Sequence, residues 1–374
     1  MDNSVLVVGT GTIGEPLAGL LSIQASSLGI DNVLFYKHTP RRTDLPLVLG
    51  LLRKGATLCT NKENFQKFRE MGVEPTYTFE EGLDHAQIVC DCSPTDAGLA
   101  NKEKFYNDRV EKNKAFLAQG SEFGFGPIYA AGINDNIIRK NKFLQVASCN
   151  THNISSVIKN LAFNPKERNE NNLGPSYLKE GTFVAIRRAS DISQVEDFIP
   201  SPEVGEHKDK EFGTHHARDA FHLYKTLNYT KDDLDLFSSS IKLNTQFMHT
   251  LYFDIRLKNV ILTKEEVVQR FIDDPYTAIT YKKQASQVFS FGREHGHFGR
   301  ILDQSVVVLP TLLVQNEKNG HVKDGSRIVG YCFTPQDGNS LLSSATAITH
   351  YLHEDAEEAN KMLTCLTKYQ FDEV

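Results

Sequence analysis

A glycine-rich turn near the start of the chain is the strongest constraint on its fold. Gly9-Thr10-Gly11-Thr12-Ile13-Gly14 follows the apolar run Val5–Val8 and precedes a stretch with Leu17 and Leu20 at helical spacing. In a strand–turn–helix unit the three glycines permit a tight turn, close approach of a pyrophosphate to the backbone, and close packing of helix on strand. The pattern predicts a dinucleotide site bordered by all six turn residues.

Alternation of short apolar runs with amphipathic segments continues through the first third of the chain. Further runs at Val33–Tyr36, Ile88–Cys90, Ala115–Leu117 and Lys142–Ser148 predict a parallel sheet covered by helices on both faces. We therefore expect an α/β fold with an N-terminal Rossmann-like domain over residues 1–148.

Longer β-like runs follow, and they predict a second domain of α/β type with a mixed sheet over residues 149–339. These runs are Thr182–Arg188, Phe247–Leu257, Ser305–Val314 and Arg327–Thr334. Helical periodicity over about 340–374 predicts helices that pack back on the first domain.

The composition excludes several classes of protein. Hydrophobic residues make up 40% and charged residues 24% of the chain, and the net charge of −6 argues against a nucleic-acid partner. No apolar run approaches the ~20 residues that span a bilayer, and the N-terminus lacks the features of a secretory signal. The six cysteines show no paired CxxC zinc spacing, so we expect a cytoplasmic protein with free thiols, no metal and no membrane partner.

The residues after the second strand bear on the choice of cofactor. An NAD-binding chain usually carries an acid about 20 residues past the glycines, for the ribose 2′-hydroxyl. Here the segment reads Tyr36-Lys37-His38-Thr39-Pro40-Arg41-Arg42. Cations attract a 2′-phosphate, so NADP is favoured over NAD with Lys37 as its ligand. The alternative is a solvated basic loop.

Cys149 lies where a strand passes into a helix. Unsatisfied N–H groups at a helix N-terminus stabilise a thiolate and lower the thiol pKa, so Cys149 is the candidate nucleophile. Most single cysteines are packing residues, and that alternative stays open. The other cysteines lack this setting.

Seven short motifs, in order, resemble the archaeal-type (class II) glyceraldehyde-3-phosphate dehydrogenase family. They are GTGTIG, VCDCSP, AQGSE, ASCNT, IRRASD, THHARD and TQFMH, and they extend over nearly the whole chain. The resemblance implies a Rossmann domain followed by a mixed α/β catalytic domain, a homotetramer, and a place in glycolysis or gluconeogenesis. It implies oxidation of a phosphorylated aldehyde with NADP or NAD and inorganic phosphate.

The resemblance also implies roles for single residues. Cys149 matches the family nucleophile and His249 its general base, although a histidine on an apolar strand face is more often a core residue. Further cofactor ligands would be Ser93, Pro94, Gly120 and Gln336. Substrate or phosphate ligands would be Asn150, Thr151, Arg187, Arg188, His215 and His216.

Each phosphate ligand has a structural alternative. Adjacent strand residues point to opposite faces, so Arg187 and Arg188 are not both expected to reach one phosphate. Surface ion pairs with Asp191 and Asp219 could explain the cations instead. Asn150 and Thr151 could cap a helix, which both residue types favour.

Departures from the family keep other functions open. After SCNT the chain reads His152-Asn153-Ile154 where the family has Thr-Gly-Leu, and loops around Asn164–Gly181 and before Thr214 are longer. A semialdehyde dehydrogenase or acyl-CoA reductase is the first alternative to a phosphorylating glyceraldehyde-3-phosphate dehydrogenase. A non-catalytic nucleotide-binding regulatory protein is the second.

Overall fold

The protein is represented by a computed structural model that describes residues 2–120, 122–168, 172–191, 198–316, 318, 323–335 and 337–374. Two compact units emerge from the internal contacts. The first contains Met1–Pro127, Ile137–Val146 and Leu341–Thr367, and the second contains Ile128–Asn136, Ala147–Ser340 and Lys368–Val374.

The strands, in chain order, are β1 Ser4–Val8, β2 Asn32–Tyr36, β3 Thr57–Thr60, β4 Tyr77–Thr78, β5 Ile88–Asp91, β6 Ala115–Gln119, β7 Ile128–Tyr129, β8 Phe143–Val146, β9 Leu178–Arg187, β10 Glu203–Val204, β11 Leu236–Lys242, β12 Thr250–Lys258, β13 Thr277–Thr280, β14 Ser305–Val308, β15 Leu313–Asn316 and β16 Gly325–Phe333.

The α-helices are α1 Gly14–Ile23, α2 Leu45–Arg53, α3 Phe65–Glu70, α4 Phe79–His85, α5 Ala97–Asn101, α6 Cys149–Ala162, α7 His215–Lys225, α8 Lys264–Ile272, α9 Ala285–His295, α10 Gly338–Leu352 and α11 Ala356–Leu363. None of the helices built from the described residues combines the length and apolar character that crossing a bilayer requires.

The first unit is built on a parallel sheet with the strand order β4-β3-β2-β1-β5-β6-β8. Every residue of β1, β5 and β6 is buried, as continuous apolar runs predict for strands covered on both faces. The predicted Rossmann-like α/β unit is confirmed. In such sheets ligands bind at the carboxyl ends of the strands, near the point where the strand order reverses, which here is beside β1.

The second unit contains a mixed sheet with the order β10-β11-β9-β12-β16-β14-β13, and β15 also pairs with β16. β11 runs parallel to β9, whereas β12 runs antiparallel to both β9 and β16. The mixed sheet was predicted, and helices α7, α8 and α9 lie between its strands in the chain. The predicted run Ser305–Val314 is two strands, because Pro310 lies in a tight helical turn at Leu309–Thr311.

Helix α6 lies in the interior of the second unit, where every residue from Asn150 to Ala162 is buried. Its apolar side belongs to a core with residues such as Phe183 and Leu251. Its polar side is also satisfied: Lys159 Nζ lies 2.9 Å from Asp274 Oδ1, and Asn160 Nδ2 donates to Asp274 Oδ2 at 2.7 Å. The helix that begins at Cys149 is therefore fixed from both sides.

Candidate active site

The predicted cofactor residues of the first unit lie at the carboxyl ends of neighbouring strands. The glycine turn follows β1, Lys37 follows β2, Ser93 and Pro94 follow β5, and Gly120 follows β6. The strand order β2-β1-β5-β6 brings these ends to one edge of the sheet. Gln336 lies outside the described residues.

The shape of the glycine turn fits a dinucleotide. A Cβ at Gly14 would lie 2.2 Å from the carbonyl oxygen of Gly9, so the turn and α1 pack too closely for any side chain. A Cβ at Gly11 would meet nothing within 4 Å, and Gly11 is exposed. The backbone at Gly11 therefore borders open space into which a pyrophosphate could fit. Of the other turn residues, Thr12 is buried and Thr10 and Ile13 are half-buried.

Lys37 is not a lone cation. Its Nζ lies 2.6 Å from Oδ2 of Asp44, the last residue of a short helical turn at Arg42–Asp44. Arg41 and Arg42 are exposed. A carboxylate therefore does occur near the end of β2, supplied by a later residue than the sequence pattern expects.

Cys149 is the first residue of α6, as predicted. Ser148 is the N-cap, and its Oγ accepts a hydrogen bond of 3.4 Å from the backbone N–H of Thr151. The carbonyl oxygen of Cys149 accepts a hydrogen bond of 3.0 Å from Asn339. Cys149 is thus held by its own helix and by Asn339, which lies 190 residues later in the chain.

The electrostatics of Cys149 contradict the expected low thiol pKa. Burial raises the pKa of Cys149, and the carboxylate of Asp337 raises it further, while Arg188 opposes the shift. Asp191 and Arg187 add smaller effects of opposite sign. Proximity to a helix N-terminus is therefore not sufficient, and the thiolate needs a change in these surrounding charges to form near neutral pH.

Arg188 connects the groups around Cys149. Its Nη2 lies 2.6 Å from Asp191 and 3.4 Å from Asp337. Its Nε is buried and has no hydrogen-bond partner among the described residues. Its backbone N–H donates a hydrogen bond of 3.0 Å to Nδ1 of His249.

His249 is buried just before β12, and its burial continues the alternation of the buried residues Leu251 and Phe253 along that strand. Phe247, at the start of the predicted apolar run, is 45% exposed. Burial lowers the pKa of His249 well below its ordinary value, and Arg188 and Arg187 lower it further, so the ring is neutral near neutral pH. Because Nδ1 accepts the Arg188 hydrogen bond, the proton of the neutral ring is on Nε2.

A cavity of about 430 Å³ in the second unit contains three of the predicted phosphate ligands. It is lined by Arg187, His215 and His216, together with Lys208 and Arg218, which the sequence did not indicate. His215 and His216 open helix α7, and their ring centroids are 4.0 Å apart. Glu206 and Asp209 also line it, so the cavity offers donors for an anion beside two carboxylates that would repel one.

The two histidines are not cations in the chain alone. Burial lowers the pKa of His215 to about 4, with Arg218 and Arg187 contributing. Burial also lowers the pKa of His216, followed by the charge of His215. Nδ1 of His216 is buried without a hydrogen-bond partner among the described residues. Both rings are neutral donors or acceptors until an anion raises their pKa.

A smaller cavity of about 270 Å³ is lined by both Arg187 and Arg188, with Thr245, Phe247 and the start of α9. Both arginines line this cavity, and the expectation that they do not both reach one phosphate stays a prediction. Their states differ, however: Arg188 is buried and paired with two carboxylates, whereas Arg187 is exposed.

Asn150 and Thr151 do not cap α6, because Ser148 does. Both are buried; Oδ1 of Asn150 accepts a hydrogen bond of 3.3 Å from Thr334, and the hydroxyl of Thr151 lies 2.9 Å from that of Ser148.

Asp337 and Asn339 near Cys149 were not recognised as site residues from sequence. The signal available was their place in Pro335-Gln336-Asp337-Gly338-Asn339, the run that stands where the resembled family has His-Gln-Glu-Ser-Asp. Of the described residues, no group of three or more His, Cys, Asp or Glu side chains is arranged to bind a metal.

Comparison with known proteins supports the resemblance. No protein-family model matches the chain. The chain is 28% identical over 275 residues to a glyceraldehyde-3-phosphate dehydrogenase of Pyrobaculum islandicum, a match that covers 72% of this chain and 70% of that protein. It is 24% identical over 311 residues to that of Sulfolobus acidocaldarius, with 81% of each covered, and 26% identical over 303 residues to that of Archaeoglobus fulgidus, with 79% of each covered. These similarities and the α/β fold support the resemblance to the archaeal-type glyceraldehyde-3-phosphate dehydrogenase family.

Proposed function

We propose that the protein is a phosphorylating glyceraldehyde-3-phosphate dehydrogenase that uses Cys149 as its nucleophile. The observation that carries the proposal is the position of Cys149 at the start of α6, within the electrostatic influence of Arg187 and Arg188. Arg187 also lines the cavity that contains His215 and His216. A thiol and an anion cavity thus share a neighbour, as a phosphorylated aldehyde requires.

In the proposed reaction the sulfur of Cys149 attacks the aldehyde carbon, and the thiol proton ends on the former carbonyl oxygen, giving a thiohemiacetal. A bound nicotinamide supplies the acceptor for the hydride that leaves this carbon. Loss of the hydride and of the hydroxyl proton yields a thioester on Cys149. An oxygen of inorganic phosphate then attacks the thioester carbon, releasing an acyl phosphate and the thiolate of Cys149.

His249 would serve this chemistry first as a donor. With the proton on Nε2, the ring can donate a hydrogen bond to the developing oxyanion of the thiohemiacetal. The general-base role implied by the resemblance requires the other neutral tautomer, in which the proton is on Nδ1, the Arg188 hydrogen bond is broken and Nε2 can accept a proton. The low pKa of the ring favours such a neutral, proton-exchanging state over a fixed imidazolium.

Arg187 is the best candidate for the phosphate ligand, because it lines both cavities and is not buried. His215 and His216 would add donors in the larger cavity. Asn150 and Thr151, which are buried and already bonded, would support the position of Cys149 more than they would bind substrate.

The proposed cofactor is NADP, with NAD also bound. The glycine turn and the backbone at Ser93, Pro94 and Gly120 would hold the dinucleotide at the carboxyl edge of the sheet. Gly120 has φ +76 and open space where a Cβ would stand, so its backbone is accessible to a ligand. Lys37 would receive the 2′-phosphate.

A homotetramer in the cytoplasm remains our proposal for the assembly and location. The support is an incompletely covered face of the second sheet. Tyr331 is 39%, Phe237 37% and Leu313 52% exposed on it in the single chain, and the ring centroids of Tyr252 and Tyr331 lie 5.3 Å apart there in a tilted pair. A second copy would cover these side chains.

The test is formation of NADPH from glyceraldehyde 3-phosphate, with phosphate, with arsenate, with coenzyme A, and with none of these. The proposal predicts sustained turnover only with phosphate or arsenate, and none in Cys149→Ser. Turnover that requires coenzyme A would instead favour an acyl-CoA reductase, and cofactor binding without any turnover would favour a regulatory protein.

A further inference from the structure

Asp44 occupies an unusual position for a residue that directly precedes a helix. It stands at the N-cap of α2, where aspartate normally accepts a hydrogen bond from the first turn, yet its side chain makes no capping bond. Its Oδ2 lies 2.6 Å from Nζ of Lys37, and its Oδ1 accepts a hydrogen bond of 3.3 Å from the hydroxyl of Thr43. The carboxylate is thus directed to the end of β2 instead of to its own helix.

Lys37 is held in place by its backbone. Its N–H donates to the carbonyl oxygen of Cys59 at 3.0 Å, and its own carbonyl oxygen accepts from the hydroxyl of Thr60 at 2.7 Å. The ammonium and the carboxylate of Asp44 are both mostly buried, with side chains 16% and 28% exposed. The ion pair of Lys37 and Asp44 is therefore a fixed feature at the end of β2.

The end of β2 adjoins the glycine turn. The N–H of Gly9 donates to the carbonyl oxygen of Tyr36 at 3.2 Å, and Val8 pairs with Tyr36 in the parallel register of β1 and β2. In a dinucleotide-binding sheet this is where the adenosine ribose lies. An acid there binds the 2′-hydroxyl, and a cation there binds a 2′-phosphate.

We propose that Asp44 is a specificity-determining residue, which competes with the 2′-phosphate of NADP for Lys37 and accepts the 2′-hydroxyl of NAD. The inference rests on the proposed nicotinamide-dependent function. When NADP binds, its 2′-phosphate must displace the carboxylate of Asp44 from Lys37 or share Lys37 with it. The negative charge of the carboxylate repels the phosphate in either case. When NAD binds, the pair stays intact and the carboxylate has free acceptor sites for the hydroxyl.

The chain therefore places two groups that recognise the 2′-position at one ribose: a cation from the end of β2 and an acid from the start of α2. Its preference for NADP is smaller than Lys37 alone would produce. Removing the acid should increase that preference, and removing the cation should decrease or reverse it.

The experiment measures the dissociation constants of NADP+ and NAD+ by titration calorimetry, without substrate, for wild type, Asp44→Asn and Lys37→Gln. Asp108→Asn is the matched control, since it removes an exposed carboxylate of the first unit between α5 and β6. In Asp44→Asn we expect NADP+ to bind about tenfold more tightly relative to NAD+, with a smaller difference at high salt. In Lys37→Gln the ratio should move in the opposite direction by a similar factor.

An unchanged ratio in Asp44→Asn, or an equal change in Asp108→Asn, would overturn the role of Asp44 while cofactor binding itself stood. Failure of wild type to bind either nucleotide would overturn the proposed function, and the inference with it. Thermal melting of each variant without ligand shows whether it is folded, and the opposite shift expected in Lys37→Gln separates selectivity from general damage.

Discussion

The backbone N–H of Arg188 donates a hydrogen bond of 3.0 Å to Nδ1 of His249. This bond joins the end of β9 to the residue before β12, and it determines which nitrogen of the ring carries a proton. The guanidinium of the same arginine pairs with Asp191 and Asp337, which affect the thiol of Cys149. One residue thus orients the proposed acid–base group and sets the charge around the proposed nucleophile.

The two arginines should respond differently to substitution. Arg188→Gln leaves the buried Asp337 without its cation, so we expect the free energy of unfolding to fall by about 3–5 kcal/mol. Arg187→Gln should change it by less than about 0.5 kcal/mol, because Arg187 is exposed. Arg187→Gln should also raise KM for the phosphorylated aldehyde by about tenfold or more. Urea unfolding and steady-state kinetics check both, and equal stability losses would contradict this division of roles.

The negative charge of Asp337 should raise the thiol pKa of Cys149. Asp337→Asn removes a negative charge but keeps hydrogen-bonding atoms, so the thiolate becomes easier to form. We expect the pH midpoint for alkylation of Cys149 by iodoacetamide to move down by about one unit, with peptide mass spectrometry to localise the label. Asp273→Asn, at an exposed site, is the control. A midpoint that stays or rises in Asp337→Asn would show that this charge does not control the thiol.

The glycine turn offers a matched pair of variants. Gly14→Ala places a Cβ 2.2 Å from the backbone oxygen of Gly9, so we expect a loss of about 1–3 kcal/mol in stability without any ligand. Gly11→Ala meets nothing within 4 Å and should leave that stability nearly unchanged. It should still weaken binding of NADP+, because the methyl group occupies the space assigned to the pyrophosphate. If Gly11→Ala binds NADP+ as wild type does, the pyrophosphate does not lie over this turn.

His152 should make the fold sensitive to acid. Burial lowers its pKa from 6.5 to about 4, and Nδ1 lies 3.0 Å from the carbonyl oxygen of Ser148. Between those pH values the unfolded chain binds a proton that the folded chain excludes, so stability is complete above pH 6.5 and falls as the pH drops towards 4.

His152→Asn keeps a donor near Ser148 but cannot titrate, so its stability should depend less on pH. We expect the difference between the free energies of unfolding at pH 7.5 and pH 5 to shrink by roughly 1–3 kcal/mol. His85→Asn, at an exposed surface position, is the control. An unchanged difference in His152→Asn would assign the acid sensitivity to other groups.

Local sequence patterns predicted β1, β2, β5, β6 and β8 of the first unit, because each contains an apolar run. They missed β3 and β4, which are short and contain threonines. They missed β11, whose serines resemble a loop, although Ser238 is buried and bonded to Thr214 at 2.6 Å. They also missed α8, although Thr263 and Glu266 form a capping box at its start. The helix start at Cys149 was predictable, since strand and helix periodicities meet there.

The charges around the site were not predictable in the same way. Asp337 affects Cys149 from a position far along the chain, and Asp44 pairs with Lys37 across a turn that no spacing rule describes. Burial, which lowers the pKa of His215 and His216, depends on tertiary packing alone. Residue types can therefore indicate a site before its ionisation states can be known.

The most direct test of the account is to trap the covalent intermediate. Wild-type protein is mixed with NADP+ and glyceraldehyde 3-phosphate without inorganic phosphate, quenched in acid and analysed by peptide mass spectrometry. The account predicts one equivalent of NADPH and an acyl group on the peptide that contains Cys149, which added phosphate removes. NADPH formation in Cys149→Ser, or an acyl group on a different cysteine, would contradict it.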